Sequence, residues 1–275
     1  MAAQGVELAV VEAGDRTRPT VLLVHGYPDT KEMWAGVASA LTGRFHVVAY
    51  DNRGAGASSS PADDAGYDLD RLAGDVLAVI QACSPGRPVH LVGHDWGSVA
   101  GWELATSARS RGRLASFTSI SGPCLDHLGH WAGARRRRPT PAGMAALLGQ
   151  AARSWYVAAF RLPRLPELAW RGPLRWCGRR IDPDDAVRGL GLYRHNLPGR
   201  VRHPRPDPVA RVPVLLIVPT RDPFVSPRVH DDLDRWVPGL RRCALPAGHW
   251  VPLTHAGLVA DWIGEFVDDV ERDRP

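Results

Sequence analysis

The chain has 275 residues, of which 44% are hydrophobic and 23% charged, with a formal net charge of +5. That length holds one large core or a core with an inserted subdomain, and no stretch is long and apolar enough to cross a bilayer. The positive balance reflects free use of arginine, most visibly Arg135-Arg136-Arg137-Arg138. The run lacks the interleaved aromatics of a nucleic-acid surface, so it reads as a solvated loop and no nucleic-acid partner is expected.

Met1 to Gly5 lacks the basic-then-apolar pattern of a signal peptide, which makes a cytoplasmic location the expectation. Cys83, Cys124, Cys177 and Cys243 are widely spaced, without a metal-ligand pattern. No metal or organic cofactor is called for.

In chain order, Gly5 to Val11 alternates as a strand and Ala13-Gly14-Asp15 turns it. Thr20 to Val24 is a continuous apolar run of the kind found in buried parallel strands. His25-Gly26-Tyr27-Pro28-Asp29 leaves its C-terminal end, where open sheets bind ligands, and Pro28 fixes a turn that frees the Tyr27 backbone N–H. Met33 to Leu41 reads as a helix with Trp34, Val37, Ala38 and Leu41 on one face. Phe45 to Tyr50 is the next strand. The loop after it contains Gly54-Ala55-Gly56, which falls short of a dinucleotide fingerprint, and Arg53, which is expected to pin that loop through salt bridges.

Leu69 to Ala82 has helical spacing and covers the sheet. The stretch Val89-His90-Leu91-Val92-Gly93-His94-Asp95-Trp96-Gly97-Ser98 then passes from an apolar strand through a small-x-acid-x-small turn into a helix, Ser98 to Ser107. Such a turn is a sharp elbow able to carry a nucleophile on strained backbone. Taken alone, Asp95 is as readily a helix cap. As a nucleophile it suits alkyl carbon, because attack at acyl carbon would leave a reactive anhydride. The helix N-terminus behind it is expected to keep the carboxylate ionised.

Leu114 to Ser121 completes enough alternation for a doubly wound, mostly parallel α/β sheet. From Cys124 to about Pro208 the β pattern stops, and helical fragments appear at Gly143 to Phe160, Leu168 to Trp176 and Asp182 to Arg194. Residues 124–208 therefore read as a helical cap inserted into a core made of 1–123 and 209–275. Tyr156 and Tyr193 lie in cap helices; a phenol can donate to an oxygen leaving group while keeping a pocket dry, or simply pack. The sheet resumes at Val212 to Val218, with Asp222 in its exit loop, and at Leu240 to Leu245, with His249 in the next. Leu258 to Val270 closes as an amphipathic helix.

Asp95, Asp222 and His249 thus follow three different strands in the order nucleophile, acid, histidine, the chain order of the α/β-hydrolase arrangement. His25 and His94 adjoin the same loops, but neither follows the final strand, and both are expected to play supporting parts.

The combination of His25-Gly26-Tyr27-Pro28, Gly93-His94-Asp95-Trp96-Gly97, Asp222 and Gly248-His249-Trp250 resembles the α/β-hydrolase fold epoxide hydrolases over nearly the whole chain. The resemblance implies that Tyr156 and Tyr193 hold and protonate an epoxide oxygen while Asp95 opens the ring. It further implies that His249 with Asp222 activates water against the ester, the backbone N–H groups of Tyr27 and Trp96 forming the oxyanion hole. The aspartate elbow is shared with haloalkane and haloacetate dehalogenases, and Trp155 keeps a halide cradle open as the alternative. A third reading is a non-enzymatic binding protein on this scaffold. The expected ligand is a small apolar or aromatic epoxide, with Trp34, Trp155, Phe160, Phe224 and Trp250 along the pocket, in a monomer or homodimer.

Overall fold

The computed structural model describes residues 1–172, 181–197 and 199–274. It is built on a seven-stranded sheet of order β3-β5-β4-β6-β7-β8-β9. A short antiparallel hairpin of β1 (Ala2–Ala3) and β2 (Val6–Glu7) precedes it. β3 (Val10–Ala13) then runs along the sheet edge, antiparallel to β5 (His46–Tyr50). The single strand expected over Gly5 to Val11 is therefore two separate pieces, broken at Leu8 and Ala9. Leu8 is buried there in the core together with Val6.

The remaining pairs are parallel: β4 (Thr20–Val24) with β5 and with β6 (Val89–His94), β6 with β7 (Leu114–Ile120), β7 with β8 (Val214–Pro219), and β8 with β9 (Arg241–Leu245). Every residue of β4, β5 and β6 is buried, as expected of strands covered on both faces. One face is covered by α2 (Leu69–Cys83) and α3 (Trp96–Ala105), whose side chains share a core with Leu22, Val48 and Leu91. The other is covered by α1 (Ala35–Leu41) and α11 (Ala256–Asp273), which bury Val37, Ile263 and Phe266 against Val21, Val47 and Val92. All the strand exit loops that matter for chemistry leave the same edge of this sandwich.

Between β7 and β8 the chain is helical: α4 (Leu125–Arg137), α5 (Pro141–Arg153), α6 (Trp155–Phe160), α7 (Leu165–Arg171), α8 (Pro183–Arg188), α9 (Leu190–Asn196) and α10 (Gly199–Arg202). The fragment expected over Leu168 to Trp176 coincides with α7 as far as Arg171; its last four residues and Cys177 lie outside the described residues. Arg135, Arg136 and Arg137 are not in a loop. They form the last turn of α4, where cations complement the helix dipole. Arg135 also bonds Asp232 at 2.6 Å and lies over the Trp131 ring at 4.5 Å.

This helical layer is fastened to the core by charge and amide bonds. Arg205 and Arg200 bridge Glu103 of α3 and the buried Asp126 of α4. Asn196 donates to Tyr67 O and accepts from Leu69 N, and Asp185 accepts from Gly56 N at 2.8 Å. Arg53 is buried and forks onto Asp75 at 2.6 and 2.7 Å while donating to Gly66 O. That geometry pins the loop after β5, on which α8 rests.

Candidate active site

The β6–α3 junction positions Asp95. Its φ of 50° and ψ of −119° lie outside the conformations ordinarily open to a residue with a side chain, a strain of about 1–3 kcal/mol held by the surrounding packing. Two glycines permit the close fit. A β-carbon on Gly97 would stand 2.2 Å from Val24 O, and one on Gly26 would stand 2.4 Å from the Asp95 carboxylate. Asp95 makes no side-chain cap bond to its own helix in the manner of an ordinary N-cap. Its Oδ1 instead accepts from Tyr27 N at 2.8 Å.

Three loops converge on this carboxylate. His249, in the loop after β9, places Nε2 3.6 Å from Asp95 Oδ2, and its Nδ1 donates to Asp222 Oδ2 at 2.8 Å. Asp222, just beyond β8, is itself oriented by the N–H groups of Phe224 and Val225 at 2.8 and 3.0 Å. The His249 carbonyl accepts from His94 Nε2 at 3.0 Å and from Ser121 Oγ at 3.3 Å. His25 accepts from Asn52 N at 2.9 Å, so both further histidines brace loops.

Charge and burial oppose each other here. Burial raises the Asp95 carboxyl to about 6, although His249 and the N–H groups of Tyr27 and Trp96 pull it down. Desolvation is the largest of these effects and opposes the helix N-terminus expected to keep Asp95 ionised; with the pKa at about 6 the carboxylate form prevails at neutral pH. For His249, burial would lower the pKa, but the Asp222 carboxylate first and Asp95 next outweigh it, and the imidazole lies above its ordinary value. For Asp222, burial is outweighed by His249 and the two amides, which hold it below the usual carboxylate range.

The cap supplies the roof. Tyr156 of α6 and Tyr193 of α9 pack edge to face, ring centres 5.7 Å apart, and both line the cavity with Asp95. Burial, then the Asp95 charge, drives both phenols well above their ordinary pKa, so each remains a donor. Tyr27 joins the loop after β4 to this roof: its hydroxyl donates to Ala186 O of α8 at 2.8 Å, and its ring meets Tyr193 at 5.2 Å.

Of the aromatic residues expected along the pocket, Phe160, Phe224 and Trp250 line it, and Trp96 borders it on the side of α3. Trp34 does not. It is wholly buried between the sheet and α1, in the core with Val21 and Leu23. Trp155 is 64% exposed and lies outside the lining, because α6 turns Tyr156 and Phe160 inward and the adjacent position outward. Two residues escaped the sequence reading. Trp170 lines the pocket from α7, and its i, i+4 spacing from the buried Pro166 was the available signal. Asp29 accepts from Trp250 Nε1 at 3.0 Å and so fixes the wall beside His249. Among the described residues no group of three His, Cys, Asp or Glu side chains converges as metal ligands, and none of the helices is long and apolar enough to cross a membrane.

A carboxylate on an elbow, a carboxylate-oriented histidine beside it and neutral phenols above it can combine nucleophilic attack, acid assistance and water activation. Comparison with known proteins agrees with this architecture. A family profile described as alpha/beta hydrolase fold matches residues 19–146. "Probable oxidoreductase EphD" of Mycobacterium tuberculosis is 38% identical over 291 residues, covering 98% of this chain and 49% of that protein. The chain thus spans about half the length of the EphD relatives it matches. "Epoxide hydrolase A" of the same organism is 38% identical over 122 residues, 44% of this chain and 37% of that protein. An epoxide hydrolase of Bacillus megaterium, solved with an inhibitor, shares the fold with a TM-score of 0.80 at 22% identity, over 98% of this chain and 99% of that one. The profile and the solved structure agree that the chain has the alpha/beta-hydrolase fold, and its sequence is similar to the EphD proteins and, over part of its length, to epoxide hydrolase A.

Proposed function

We propose that this protein opens epoxides to vicinal diols through a covalent ester on Asp95, with residues 124–208 acting as the cap over the site. The observation that carries this reading is the meeting of an elbow carboxylate with two phenols, Tyr193 buried and Tyr156 half-buried, in one apolar cavity. Tyr27 N–H pins Oδ1 of Asp95, which leaves Oδ2 as the attacking oxygen. Oδ2 bonds to an epoxide carbon as the C–O bond breaks, and the departing oxygen takes its proton from Tyr156 or Tyr193. Oδ1 then becomes the ester carbonyl oxygen, already seated against the Tyr27 and Trp96 amides that would hold the tetrahedral oxyanion. His249, oriented by Asp222, takes a proton from the water that attacks the carbonyl carbon. Collapse releases the diol as His249 returns its proton to the departing oxygen, and the proton left on the regenerated Asp95 carboxyl passes back to the phenolate, restoring the tyrosine.

The halide alternative needs indole N–H groups beside Asp95. Trp155 faces outward, Trp250 Nε1 bonds Asp29, and the Trp96 indole beside Asp95 is hydrogen-bonded to the Tyr193 hydroxyl, which favours the phenol-roofed reading over a cradle of indoles. His249→Gln should stop the second half-reaction and leave the first. Incubated with excess epoxide, this variant is expected to gain the mass of one epoxide, mapped to Asp95. No adduct with any of several epoxides, together with halide release by the parent protein from a haloalkane, would overturn the reading.

A further inference from the structure

Two cavities meet at the Asp95 carboxylate. Asp95, Tyr156, Tyr193 and Phe224 line both, so the reacting group sits at a junction, with empty space of about 320 Å³ on one side and about 500 Å³ on the other. The smaller lobe is aromatic. Phe160, Trp170 and Trp250 enclose it with the edge of Tyr27. The larger lobe is aliphatic, walled by Val99 of α3, Leu125 and Leu128 of α4, Val157 of α6 and Leu197 beyond α9. Gln150 reaches this lobe too, but its amide is committed: it donates to Ser154 Oγ and Phe224 O and accepts from Ser226 N. Among its described lining residues the lobe offers a hydrocarbon chain a mainly apolar wall and a charged tail no counter-ion, since none is Lys, Arg or His and the one carboxylate is the reacting Asp95.

A terminal epoxide carries a substituent on one ring carbon and needs one lobe. Resting on the epoxide-opening reading above, we infer that the substrate class is a 2,3-disubstituted oxirane with a flat aromatic group on one ring carbon and an uncharged aliphatic chain on the other. The aromatic group stacks among Phe160, Trp170 and Trp250, where edge-to-face contacts favour a ring. The chain extends past Val157 toward Leu128. With one substituent drawn to each side, the ring oxygen is left beneath the two phenols and a ring carbon faces Asp95 Oδ2.

The test is a series of trans-2-phenyl-3-alkyloxiranes from methyl to pentyl, with 2-phenyloxirane as reference. If the chain enters the aliphatic lobe, kcat/KM relative to the reference rises about fourfold per methylene buried. Leu128→Phe and Val157→Phe narrow that lobe, and each should lower the ratio of pentyl to reference substrate at least tenfold; the ratio is insensitive to loss of folded enzyme. A series flat with chain length in the parent protein overturns the inference whatever the variants do, and so does an unchanged ratio in both variants. Failure of the parent protein to open any epoxide, the reference included, would instead refute the epoxide reading itself.

Discussion

Asp95→Asn should inactivate the protein and, at the same time, stabilise its fold. The side chain is held in a largely dry site, and burial lifts its pKa from 3.8 to about 6. A carboxyl whose folded pKa is raised contributes stability that is fully present below its unfolded value and is lost as pH rises through the folded value. Above about pH 6 the folded protein therefore carries an ionised group it would hold more cheaply as a neutral one, at a cost of about 3 kcal/mol for a shift of this size. Asparagine keeps an oxygen to accept from Tyr27 N and removes the charge. For a chain of this length, the gain corresponds to a rise in Tm of roughly 5 °C at pH 8. The gain should shrink through pH 6 to 4, where the parent carboxyl becomes protonated. Calorimetry or circular dichroism melts of both proteins at pH 4.5, 6 and 8 provide the assay. An equal or lower Tm for the variant at pH 8, or a gain independent of pH, would refute the electrostatic account of the site.

The same carboxyl sets the acid limb of the reaction: kcat/KM for an epoxide should fall about tenfold per pH unit below roughly pH 6, as Asp95 loses its nucleophilic form; a profile flat to pH 4.5 contradicts this. Tyr156→Phe combined with Tyr193→Phe should cut the rate of ester formation, followed by rapid quench, about 100- to 10,000-fold, with a smaller effect on decay of the ester; equal rates in the double variant and the parent would remove the acid role. The two displaced tryptophans separate cleanly: Trp34→Ala, which empties a wholly buried core position, should cost about 3–5 kcal/mol in chemical denaturation, whereas the exposed Trp155→Ala should change stability by no more than about 0.5 kcal/mol and leave turnover within twofold.

The sheet was legible because its strands are short runs buried on both faces, and such runs stand out as Thr20 to Val24 and Val89 to Val92 do. The elbow was legible because backbone crowding at Gly93 and Gly97 leaves its mark on residue type. Helix α4 was not legible: Gly129, Gly133 and three arginines dilute its apolar stripe, and what holds it is tertiary, through Asp126 to Arg205 and Arg135 to the Asp231–Asp232 turn. Pocket aromatics were assigned from residue type, and type does not say which side of a helix faces the cavity. Trp155 and Tyr156 are adjacent in sequence, yet only Tyr156 points inward. The elevated pKa of Asp95 was out of reach as well, since it depends on how completely the cap covers the carboxylate rather than on its neighbours in the chain.

The central claim is that the oxygen added to the substrate comes first from Asp95 and only afterwards from water. A single turnover in H2(18)O, with protein in excess over epoxide, tests it directly by mass spectrometry of both product and protein. The account predicts an unlabelled diol from that first turnover and one atom of 18O in the Asp95 carboxylate. A first-turnover diol carrying 18O, with Asp95 unlabelled, would mean that water attacks the epoxide itself, and the covalent mechanism would fall.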